Sequence, residues 1–95
     1  YIPKDYISSW AQYSLLAESN HSRVKIMDAM SKLGIPNMIY YKLPLHLQKV
    51  YSYLGYQKGD FPISEKISDC IFSIPMHPYL LKEHQDAIIK VLNNE

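Results

Sequence analysis

The apolar positions of this chain fall into short runs that change period several times. From Ile7 to Leu16 the run ISSWAQYSLL alternates apolar and small polar residues in part, which predicts a first strand. Ser19, Asn20 and Ser22 then offer candidate N-caps. Val24, Met27, Met30 and Leu33 recur at spacing three, joined by Ile26 and Ala29, and predict one apolar helical face. Gly34 suits the left-handed position past that helix, and Pro36 forbids its continuation.

Met38, Ile39, Tyr40 and Tyr41 form a short apolar run between Pro36-Asn37 and Pro44, which predicts a second strand. Leu47, Val50, Tyr51 and Leu54 then sit at i, i+3, i+4 and i+7, the stripe of a second helix, with Gly55 closing it. Asp60 is the candidate cap of a third helix. Pro62 stands in its first turn, and Ile63, Ile67, Cys70 and Ile71 share one face. Phe72, Ser73 and Ile74 predict a brief third strand that Pro75 ends. The last helix runs from about Leu81 to Leu92, with Leu81, Ile88, Val91 and Leu92 turned inward.

The order is β-α-β-α-α-β-α. It predicts an α+β domain (an α/β small domain) with a three-stranded small sheet and four helices packed mainly on one face. The expected buried set is Val24, Met27, Met30, Leu33, Val50, Leu54, Ile67, Ile71, Ile88 and Val91. Exposure of both Leu54 and Ile67 would contradict that arrangement.

Composition narrows the function classes. Hydrophobic residues make up 47% of 95 and charged ones 20%, which excludes a disordered tail. Ten basic side chains stand against nine acidic ones, so no electrostatic footprint for nucleic acid or an acidic membrane is present. Apolar runs fall far short of the roughly 20 residues that span a bilayer, and with no basic-then-apolar start a signal peptide is not expected. Cys70 stands alone and cannot form an internal disulfide, which points to a cytoplasmic setting. Residues 1–95 fit a single domain, one too small for a large catalytic architecture and expected to be a piece of a longer protein.

Metal, nucleophilic and phosphate-loop chemistry find little support. His21, His46, His77 and His84 show no His-x₃-His spacing, so no metal site is expected. Cys70 falls on an apolar helix face, where free cysteine behaves as a small hydrophobe. No serine sits in a nucleophile elbow, and the three glycines serve turns or helix ends. Tyrosine is the unusual residue, with nine against two phenylalanines. Most fit an amphipathic surface or interface. The cluster Tyr40-Tyr41-Lys42-Leu43-Pro44-Leu45-His46 lies where a predicted strand turns into a helix, and can present phenol and imidazole to a polar ligand. A second corner, Ile74-Pro75-Met76-His77-Pro78, also offers a histidine. Either histidine alone reads as a structural hydrogen-bonder ahead of a functional group.

Seven segments in order carry a resemblance: Trp10-Ala11-Gln12-Tyr13-Ser14, Gly34-Ile35-Pro36, Tyr40-Tyr41, Pro44-Leu45-His46-Leu47-Gln48, Leu54-Gly55-Tyr56, Gly59-Asp60-Phe61-Pro62 and Ile74-Pro75-Met76-His77-Pro78-Tyr79-Leu80. Together they resemble the C-terminal small domain of the DegT/DnrJ/EryC1/StrS family of pyridoxal-phosphate-dependent sugar aminotransferases. The resemblance implies a C-terminal fragment of a fold-type-I enzyme that moves an amino group from glutamate to a nucleotide-linked keto-sugar, for surface polysaccharide or amino-sugar biosynthesis. It also implies a homodimer. The Schiff-base lysine and the groups that hold the coenzyme would lie in a large domain outside this chain, leaving no catalytic or cofactor-binding residue here. The family's histidine-tyrosine pair at the strand end is Tyr40-Tyr41 in this sequence. By the resemblance Tyr41 lines the sugar-nucleotide pocket, with Tyr40 and His46 as neighbours. A related sugar dehydratase and a non-catalytic interaction module are the alternatives.

Overall fold

A computed structural model describes residues 2–93. Two four-residue strands, β1 (Tyr13–Leu16) and β2 (Ile71–Ile74), pair antiparallel with Leu15 opposite Phe72 and Ser14 opposite Ser73. The α-helices are α1 (Asn20–Lys32), α2 (Pro62–Cys70) and α3 (Lys82–Leu92). Two 3₁₀ segments, Leu45–Leu47 and Lys49–Leu54, lie between α1 and α2.

Helix α1 begins and ends on local chemistry. Ser19 caps it by accepting the Ser22 N–H at 3.1 Å. At the far end Gly34 takes φ +70°. Its N–H reaches the Ser31 carbonyl, and that of Ile35 reaches Met30. This is the double hydrogen bond of a Schellman turn, and Ile35 packs against the core cluster that includes Met30, the apolar contact that often accompanies such turns.

The core is small. Ile26 and Met30 of α1, Phe72 of β2, and Ile88 and Val91 of α3 form it, with Leu15 and Ile74 against them. Tyr13, Leu15, Phe72 and Ile74 share one sheet face because side chains alternate along a strand. On the other face the hydroxyls of Ser14 and Ser73 share a hydrogen bond of 2.9 Å. Among the described residues no helix is long and apolar enough to cross a membrane.

Several expectations need correction. The sheet has two strands, not three: Met38 exchanges both backbone bonds with Ser73, and that one bridge is all that forms. The chain bends at Tyr40 on its way to Pro44, so the ladder ends after a single rung. The first strand is shorter than Ile7–Leu16, since Trp10 takes φ +50°, which breaks an extended run. The second helix is two 3₁₀ segments rather than an α-helix, interrupted where Gln48 is extended (ψ 138°). With three residues per turn its i+4 positions rotate away from its i positions. Val50 and Leu54 are accordingly exposed.

Of the expected buried set, Met30, Ile88 and Val91 are buried, whereas Met27 and Ile71 are half-buried. Val24 and Leu33 are exposed because steps of three drift around an α-helix by about 60° each, and the inward line is Arg23–Ile26–Met30 instead. Ile67 is exposed because α2 turns Ser68 and Cys70 inward. Leu54 and Ile67 are thus both exposed, which overturns the expected closure of their segments over one sheet face.

Candidate functional site

Tyr40 and Tyr41 stand on the segment that leaves the Met38 bridge, and both rings are exposed, Tyr41 at 71%. The same segment turns at Pro44 into the first 3₁₀ turn, where His46 is buried. The three residues nominated from the sequence therefore share one short hook, two facing solvent and one serving as its anchor.

The anchor is built from α2. Pro62 opens that helix, the position where its fixed φ and missing N–H are harmless, and Glu65 falls in the first turn. Glu65 Oε1 lies 3.0 Å from His46 Nε2 and accepts the Gly59 N–H at 2.8 Å. Gly59 has φ +100°, a conformation that a side chain would strain, and this turn aims its N–H at the carboxylate. The Phe61 ring packs on the His46 ring at 4.8 Å and meets Tyr56 edge-on at 5.1 Å. The Gly59 N–H holds the Glu65 carboxyl below its usual range. Burial opposes this, while the His46 hydrogen bond, the Phe61 backbone and the His46 charge act in the same direction. Glu65 escaped the sequence reading, although an acidic residue three positions after an N1 proline is a legible first-turn signal.

The second corner differs. His77 is exposed, and its Nδ1 accepts the Tyr79 N–H at 3.2 Å. It borders a 440 Å³ pocket with Trp10 and Tyr13, whose rings stack at 6.1 Å. A wider groove of 980 Å³ runs between β1, α1 and α3, lined by apolar side chains with Glu18, Ser22 and Lys25. Among the described residues no group of three His, Cys, Asp or Glu could hold a metal ion.

Comparison with known proteins decides the family. The model of the DegT/DnrJ/EryC1/StrS aminotransferase family matches residues 2–93. The chain belongs to that family. A DegT DnrJ EryC1 StrS aminotransferase from Brucella abortus superposes with a TM-score of 0.82 at 41% identity, covering 97% of this chain and 24% of that one. The pleiotropic regulatory protein of Geobacillus stearothermophilus is 38% identical over 83% of this chain and 20% of its own length. The UDP-2-acetamido-2-deoxy-3-oxo-D-glucuronate aminotransferase of Pseudomonas aeruginosa is 29% identical over 97% of this chain and 23% of its own. The chain thus spans about a fifth of the length of these curated relatives.

Family membership implies pyridoxal phosphate, and the residues present do not fit it. Every lysine is exposed, and Arg23 is committed to the carbonyls of Ser68 and Ile71. Neither cavity offers the converging donors that a phosphate requires.

Proposed function

We propose that this chain is the C-terminal domain of a pyridoxal-phosphate-dependent aminotransferase, one that transfers an amino group from glutamate to a nucleotide-linked keto-sugar. The observation that carries this is the family match over residues 2–93, beside a relative named for a UDP-linked keto-sugar. Tyr41 lines the sugar-nucleotide pocket, with Tyr40 and His46 as neighbours. Exposed phenols on an anchored hook support that role, since a nucleotide sugar offers hydroxyl and phosphate oxygens for phenols to meet. The coenzyme supplies the amino-group chemistry and is held by residues outside this chain. What the chain contributes is binding and orientation of the sugar nucleotide. The exposed apolar side chains Trp10, Tyr13, Val50 and Leu54 suit burial against a large domain or a second protomer of a homodimer, in a cytoplasmic enzyme.

The test is an assay of the protein that carries this chain, with ¹⁵N-glutamate and a panel of UDP- and dTDP-linked keto-sugars, read by mass spectrometry. A ¹⁵N-labelled amino sugar is expected. A dehydrated sugar without nitrogen identifies a dehydratase. The regulatory name of the Geobacillus relative favours a second reading, an interaction module, which predicts no sugar product at all.

A further inference from the structure

The anchor beneath the hook has chemistry of its own. The Glu65 carboxyl is held below its usual range and is ionised at neutral pH, so its oxygens only accept. The proton between Glu65 and His46 therefore sits on Nε2 of the imidazole. Among the described residues His46 Nδ1 has no hydrogen-bond partner. It is also not a buried unsatisfied atom, the one such atom being Arg23 Nε. In a side chain only 6% exposed, Nδ1 is thus not sealed from solvent.

We propose that Glu65 is a positioning residue that fixes His46 as the Nε2–H tautomer and presents Nδ1 as a hydrogen-bond acceptor to a hydroxyl of the nucleotide-linked sugar. This rests on the assignment of the Tyr40–His46 hook to the sugar-nucleotide pocket. Three residues of one short stretch, Gly59, Phe61 and Glu65, converge to hold the ring. The carboxylate fixes its edge, Phe61 covers it, and the Gly59 turn fixes the carboxylate. A ring needed only as filler leaves either tautomer equally suitable. Here an ionised acceptor selects one, as a carboxylate hydrogen-bonded to the far nitrogen of a metal-bound histidine does. The consequence for recognition is directional. The exposed phenols of Tyr40 and Tyr41 can donate or accept, whereas the uncharged form of the His46 imidazole, with its proton on Nε2, can only accept at Nδ1.

Two measurements on the holoenzyme that carries this chain decide it. The first is ¹⁵N NMR of the imidazole at pH 8. It is expected to show His46 as Nε2–H, with Glu65→Gln shifting part of the population to Nδ1–H. An Nδ1–H tautomer in the unmutated protein overturns the proposal even if Glu65→Gln fails to fold, and so does an unchanged population in a folded variant. The second uses His46→Gln, whose amide can still donate to Glu65 but has no counterpart of Nδ1. Its melting temperature is expected to stay near that of the unmutated enzyme, while His46→Asn melts lower. Its Kd for UDP-N-acetylglucosamine or dTDP-glucose, used as probes, is expected to rise about 2- to 12-fold, the worth of one neutral hydrogen bond. If Tyr41→Phe weakens probe binding and His46→Gln does not, this inference fails and the pocket assignment stands. If neither variant weakens it, or the unmutated enzyme binds neither probe, the assignment and the inference fall together.

Discussion

Arg23 Nη1 on α1 donates to the Ser68 carbonyl in the last turn of α2 at 2.8 Å, from a residue only 7% exposed. The guanidinium also reaches the Ile71 carbonyl at 3.4 Å, and the Asn20 side-chain amide donates to the Asp69 carbonyl. A buried cation thus meets the negative end of α2, where helix carbonyls lack intrahelical partners. This contact ties α1 to the helix that carries Glu65.

Removing that cation takes away the side-chain donor to the Ser68 carbonyl of α2 and to the Ile71 carbonyl that opens β2. Arg23→Ala is expected to cost about 1.5–3 kcal/mol, the range for hydrogen bonds to a charged group. Urea unfolding monitored by circular dichroism measures it as a lower midpoint at unchanged slope. Arg23→Lys is expected to recover only part, since an ammonium cannot reproduce a planar fork.

The core and the second 3₁₀ segment predict different responses to truncation. Met30 is fully buried, so Met30→Ala is expected to cost about 2–5 kcal/mol. Leu54 is half exposed, and Leu54→Ala in this chain is expected to fall within about 0.5 kcal/mol. The same unfolding experiment separates them. A large loss at Leu54 would mean that its side chain is covered after all.

Glu65 sets an acid dependence. Its carboxyl titrates lower when folded than at the ordinary value near 4.5. It therefore contributes stability above that value and loses the contribution as pH falls through the folded one. Melting temperatures from pH 7 to 3 are expected to fall more steeply for the unmutated chain than for Glu65→Gln. Parallel curves would remove Glu65 from the account.

Coenzyme added to this chain alone tests the poor fit of its surface to pyridoxal phosphate. Exposed lysines form only weak, nonspecific adducts with an aldehyde. No saturable absorbance band is expected at stoichiometric coenzyme, and a tight, specific band would contradict the account.

Most local signals were legible and the long-range ones were not; Asp60, expected to cap α2, instead accepts the Gln57 N–H and leaves Phe61 at the N-cap. Ser19, Gly34 and Pro62 each marked a helix end correctly, because caps are set by residues adjacent in sequence. The stripe Leu47-Val50-Tyr51-Leu54 satisfied helical spacing equally well, but only tertiary context could reveal the break at Gln48. Met38 was placed in a strand, and one bridge formed. Tyr40, Tyr41 and His46 were nominated together and share one hook. Glu65 stayed hidden because its meaning depends on a histidine 19 residues away.

The central claim is that the hook carrying Tyr41 meets the sugar nucleotide and not the amino donor. Measuring the two half-reactions separately in Tyr41→Phe tests it most directly. The account predicts a KM for the nucleotide sugar raised by about 0.5–1.5 kcal/mol in binding, and up to roughly 3 against a charged oxygen, with the glutamate half-reaction unchanged. Equal losses in both half-reactions would contradict it and make Tyr41 a structural residue.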